Sequence, residues 1–109
     1  MEKKSNRYEN TVVGIAWYRP EQWQRLREIS VDREDLEDTY RDWVRNTERA
    51  IRELNRNGLQ SVKVAVEVED LLQWCQSQNI PVSGEARSQY VTEKLQSEME
   101  SYKIADNQE

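Results

Sequence analysis

Within the heptapeptide Trp17-Tyr18-Arg19-Pro20-Glu21-Gln22-Trp23 stand three aromatic rings, a guanidinium and a carboxylate. Trp, Tyr and Arg are the residue types that dominate binding hot spots. Trp17, Tyr18, Arg19 and Glu21 are therefore the candidate binding surface, able to stack a planar ligand or hold a partner's chain. The competing reading makes Trp17 and Trp23 core residues, with Tyr18 at the edge, because the sequence has no Phe to fill that role.

Other clusters offer less chemistry. Asp32, Glu34, Asp35, Glu37, Asp38 and Asp42 could attract a hard divalent cation. They lack the EF-hand loop pattern, however, and read as the acidic first turn of a capped helix. No metal site is expected. With no His, the commonest general base and metal ligand is missing. Cys75, the single Cys, can form no internal disulfide and falls on an apolar helix face, where it reads as buried filler. Three isolated Gly make no phosphate-cradling loop. No catalytic residue and no cofactor is expected, and enzyme activity is not the favoured reading. Basic residues recur every three or four positions from Arg41 to Arg56, interleaved with acids. Such a stripe is either a solvated helix face or, as the minor reading, a weak nucleic-acid site.

Length and composition bound what can position these residues. The 109 residues suit one domain, and Lys plus Arg at 16 against Asp plus Glu at 21 gives a net charge of -5. That balance disfavours a nucleic-acid partner. Leu, Ile and Val total 22, so the four Trp and five Tyr must carry much of the core. No apolar run approaches the ~18 residues of a membrane span. The first residues lack the apolar stretch of a secretory signal, and the expected location is a reducing cytoplasm.

Residues 1–9 and 103–109 read as polar tails around one α+β domain, 10–102. The segment 11–18 reads as a strand with apolar character on both faces. Pro20 opens a short helix carrying Trp23, Leu26 and Ile29 inward. Asp32 is placed to cap a long helix, 33–56, whose Leu36, Tyr40, Trp43, Thr47, Ala50 and Leu54 form a heptad stripe. Gly58 ends it in a left-handed turn. Val62, Val64, Val66 and Val68 alternate as a half-buried strand. A helix at 69–78 follows, stopped by Asn79 and Pro81, and Ser83 caps a last helix over 84–101.

The order β-α-α-β-α-α repeats itself at an offset of 51 residues. There Val13, Gln22, Trp23, Ile29, Val31 and Glu34 meet Val64, Gln73, Trp74, Ile80, Val82 and Glu85. Two explanations stand: a tandem duplication with a pseudo-twofold scaffold, or two ordinary segments sharing buried positions. If every element reverses direction, the strands are antiparallel. Two strands leave open edges, which invite a homodimer with a four-stranded sheet.

Gly14-Ile15-Ala16-Trp17-Tyr18-Arg19-Pro20-Glu21-Gln22-Trp23, Leu36-Glu37-Asp38-Thr39-Tyr40 and Asp70-Leu71-Leu72-Gln73-Trp74-Cys75 together resemble a group of short bacterial proteins of unknown function. The resemblance covers about 14–95 and implies a stand-alone bacterial cytoplasmic domain, with no activity or site attached. The leading expectation is a non-enzymatic interaction or regulatory module, with a protein partner or a second copy of itself. The alternatives are a small-ligand binder or unusual enzyme with a pocket near the 17–23 turn, and the weak nucleic-acid binder through Arg41–Arg56.

Overall fold

The computed structural model describes residues 12–107, with side chains through Ser101. Strand β1 is Val12–Trp17, and a 3-10 turn, Pro20–Gln22, leads into helix α1, Trp23–Ile29. A second 3-10 turn, Arg33–Asp35, precedes α2, Tyr40–Arg56. Strand β2, Gln60–Ala65, helix α3, Val68–Gln78, and helix α4, Gly84–Asn107, complete the order. The class is α+β. Helix α4 runs past the expected end at 101; residues 1–11 and 108–109, which include the whole expected tail 1–9 and the last two residues of 103–109, lie outside the described residues.

The strands are parallel, which corrects the antiparallel expectation. Val12 lies beside Gln60 and Trp17 beside Ala65. The physical reason is that α1 does not traverse the sheet. It spans only seven residues, about 10 Å, and packs against the two 3-10 turns and α3 at the carboxyl end of the strands. Helix α2 alone makes the return. Its first turns meet the end of β1, with Trp43 against Trp17 and Tyr18, and its Glu48 reaches Lys63 on β2. One crossing helix between two strands restores the direction of the first, as in a βαβ crossover.

Helix α2 also begins later than the expected residue 33. After the Arg33–Asp35 turn the chain extends through Leu36, and Thr39 is the N-cap, its hydroxyl accepting from the Asp42 amide at 3.1 Å. Thr39-x-x-Asp42 has the helix-start spacing. Asp32 instead serves α4, accepting from the Gly84 amide at 3.1 Å. Removing the Thr39 cap leaves an orphan N–H, so Thr39→Ala should cost about 1 kcal/mol in a denaturation curve. An equal loss in Asp32→Ala and Thr39→Ala, with no difference in acid dependence, would contradict the reassignment of the caps.

Gly58 (φ 85°) takes the left-handed conformation after α2, as the sequence predicts, and Asn79 (φ 61°), expected only as a helix stop, takes it after α3. The Ser83 hydroxyl accepts from the Ala86 amide at 3.2 Å and caps α4.

Each face of the sheet is covered by one helix. Ile15, Trp17 and Lys63 share the α2 face, since they alternate with the residues under α4 and Trp17 packs on Trp43. Gly14, Ala16 and Val64 share the α4 face: a Cβ on Gly14 would lie 3.0 Å from Val91, 3.2 Å from Leu95 and 3.5 Å from Val64. Gly14 is thus required by the close approach of α4 and not by its φ. Beyond the strands, Ser30 and Val82 form a further parallel bridge, with the Val31 amide donating to the Val82 carbonyl at 2.9 Å. Leu26, Leu71, Val68 and Cys75 fill the centre beneath it. The matched positions of the repeat only partly share elements. Val13 and Val64 lie in strands and Trp23 and Trp74 in helices, but Ile29 ends α1 while Ile80 follows α3, and Glu34 lies in a 3-10 turn while Glu85 lies in α4. Trp23 is buried while Trp74 is half-buried.

Candidate interaction site

The 17–23 turn is built around a five-ring cluster. Trp43 lies 4.9 Å from Trp17, 5.4 Å from Tyr18, 5.2 Å from Trp23 and 5.3 Å from Tyr40, centroid to centroid. Two of the rings are tied inward by their polar atoms: Trp23 Nε1 donates to the Glu37 carbonyl at 3.1 Å, and the Tyr40 hydroxyl donates to the Tyr18 carbonyl at 2.7 Å. Tyr18 is 4% exposed, and burial pushes its phenol up to about 12. Its ring is a core ring and offers no contact surface. Trp17 is half-buried, and the Lys63 ammonium sits 4.0 Å over its ring centroid.

Arg19 and Glu21 are exposed and bonded to each other at 2.7 Å. Arg19 also donates to Glu67, whose other oxygen accepts from Gln22 Nε2 at 2.7 Å. Gln22 Oε1 in turn accepts from the Val68 amide at 3.2 Å. The guanidinium beside Glu67 and Glu21 holds both carboxyls below the usual carboxylate range. This network closes the turn onto the start of α3. The four candidate residues therefore divide between core and surface, and the turn does not gather them on one face.

The acidic cluster is dispersed in the same way. Asp32 pairs with Arg87, Asp38 with Arg27 and Asp42 with Arg45, while Glu37 accepts from Asn46. Among the described residues, no group of three or more His, Cys, Asp or Glu could hold a metal ion. Along the Arg stripe, Arg45 pairs with Asp42 and Arg56 with Glu53. Cys75 is buried, and burial pushes its thiol up. None of the described helices is long and apolar enough to cross a membrane.

Sequence reasoning had no signal for the Arg87 clamp. Arg87 donates to both Asp32 oxygens, at 3.0 and 2.9 Å, and to the buried Ser30 hydroxyl at 3.0 Å. The partners lie more than 50 residues apart, with no local spacing to mark them.

The two edges of the sheet differ sharply. Trp17 carbonyl accepts from the Val66 amide at 3.0 Å, so Trp17, Ile15 and Val13 direct their backbone groups to β2. By alternation Val12, Gly14 and Ala16 direct theirs to the free edge of β1. Among the described residues none hydrogen-bonds to them. On the outer edge of β2, Lys94 Nζ donates to the Ala65 carbonyl at 2.5 Å, while the Lys63 ammonium turns inward over Trp17 and pairs with Glu48. A lysine across that edge blunts it against strand addition. The β1 edge carries no charge. Beside it runs a groove of about 370 Å³, lined by Val12, Gly14, Ser88, Thr92, Leu95 and Met99 among others. Met99 is 51% exposed. No known protein family, curated protein or solved structure matches this chain.

Proposed function

We propose that this chain is a non-enzymatic protein-interaction module that adds a strand to the free edge of β1. The observation that carries the reading is the asymmetry of the sheet: β2 is guarded by Lys94, while, among the described residues, β1 presents unpaired backbone and an uncharged groove. Strand addition takes affinity from main-chain hydrogen bonds and specificity from neighbouring side-chain pockets. The groove between β1 and α4 is such a pocket.

Val12→Lys tests it. The residue is half-buried at the groove's rim, and a lysine there would guard β1 as Lys94 guards β2. With the full chain as bait, and a differently tagged copy of itself present in the source-cell lysate, proteins retained by the wild type should be lost with Val12→Lys. Identical retention by both, with Val12→Lys shown folded by its far-UV spectrum, would overturn the reading.

A further inference from the structure

We infer that the occupant of the β1 edge is a second copy of this chain, paired antiparallel about a twofold axis through Gly14. The inference rests on the interaction reading above and names its partner.

Charge is the first argument. The chain carries a net charge of -5 and 37 charged side chains, yet none lies on β1, and among the described residues none that lines the groove is charged. A patch without charge can face its own copy with no like-charge repulsion and offers nothing to select a charged foreign partner.

Register is the second. With Val12, Gly14 and Ala16 directed outward, the twofold places Gly14 opposite Gly14 of the copy and Val12 opposite Ala16. Each outward pair exchanges its N–H and C=O groups. On the α2 face the same register sets Val13 opposite Ile15, so two β-branched side chains meet.

The third is the fit of the helices. Helix α4 straddles both strands, since the Gly14 position meets Val91, Leu95 and Val64 together. Strands lie about 4.8 Å apart, and α4 covers both while leaning toward β1, so it stands within about 5 Å of the axis and within about 10 Å of its copy, close enough for the two helices to touch. Helix α4 runs antiparallel to β1, because Leu95 lies by Gly14 while Met99 shares the groove with Val12. The axis crosses the helix near residue 93. Ser88 then faces Met99 of the copy, and Thr92 faces Leu95. Small meets large in both pairs, which covers the exposed Met99.

Area is the fourth. The contact is about 20 Å long, the length of a six-residue strand, and spans the sheet and the helix layer about 10 Å above it. Two such faces, each about 20 Å by about 20 Å once the side chains and the helix's own width are included, total about 800 Å², below the ~1,200 Å² of stable specific association. The dimer is therefore weak, with micromolar dissociation.

Sedimentation equilibrium of the full chain across the micromolar range tests this, together with amide exchange. The wild type should show a reversible monomer–dimer equilibrium, and Gly14 and Ala16 amides should become protected as the dimer fills. Val12→Lys should weaken the dimer by at least about tenfold. Met99→Lys, on the exposed helix rim, should weaken it without touching the strand. A Val13→Cys/Ile15→Cys double variant should form a covalent dimer on mild oxidation, because non-hydrogen-bonded antiparallel pairs meet disulfide geometry. A wild-type monomer with protected Gly14 and Ala16 amides would assign the edge to the chain's own segment 1–11 and overturn the inference. A monomer with unprotected amides, whose Val12-dependent lysate partners persist, would overturn it and leave the interaction reading standing. A monomer with no edge-dependent partner would remove both. A dimer unaffected by Val12→Lys and Met99→Lys, and not cross-linked by the double variant, would also overturn it.

Discussion

Trp43→Ala should lower the unfolding free energy by about 3–5 kcal/mol, read as a shift of the urea midpoint. Trp43 is the shared neighbour of Trp17, Tyr18, Trp23 and Tyr40. Its removal opens a cavity bounded by rings from three places, the end of β1, the start of α1 and the start of α2, which cannot collapse together. Small domains hold only about 5–15 kcal/mol in total, so the variant should sit near the limit of folding. Trp43→Phe should recover part of the loss, since a ring remains in the cavity. Val44→Ala, next in sequence but half-buried, should cost clearly less. Equal losses for Trp43→Ala and Val44→Ala would show that the cluster does not organise the core.

Asp32→Ala should cost about 2 kcal/mol at neutral pH. The expected value lies between the ~0–1 kcal/mol of surface pairs and the 3–5 kcal/mol of breaking buried ones, because the pair is mostly covered, at 12% exposure for Arg87 and 24% for Asp32. The loss strands the Arg87 guanidinium beside buried Ser30 and leaves the Gly84 amide without its acceptor. The Arg87 hydrogen bonds hold the Asp32 carboxyl below its ordinary range. A carboxyl whose folded pKa is depressed contributes stability above its unfolded value, near 4, and loses it as pH falls through the lower folded value. The gap between wild type and Asp32→Ala should therefore be constant near pH 7 and close below about pH 4. A gap that stays open in acid would show that Asp32 acts through packing and not through its charge.

These two sites differ in how far the sequence revealed them. Trp23, Trp43 and Tyr40 were legible as inward residues because helical spacing marks them. The α+β class, the Gly58 and Asn79 terminators and the Ser83 cap were legible because each depends on neighbours a few residues away. Strand direction was not. It turned on whether α1 crosses the sheet, and a short amphipathic helix has the same pattern whether it crosses or stays at one end. The start of α2 was misplaced because the acidic run 32–38 suits a first turn, while Thr39-x-x-Asp42 carries the actual cap. The 17–23 turn was marked by residue types alone. Hot-spot residues are also the largest core residues, so composition could not separate Tyr18, turned inward, from Arg19 and Glu21, turned outward.

By itself the sequence determined what could form: two strands, four helices, their stops, and a core that leans on Trp and Tyr because aliphatics are few. It also placed every charge, and so left β1 without any. Only the tertiary structure decided which edge of the sheet was open. Local periodicity records which face of a strand is apolar, but whether its backbone groups find partners depends on what arrives from far along the chain. Here Lys94 arrives at Ala65 from 29 residues away. Among the described residues, nothing arrives at Gly14 and Ala16 on the other side.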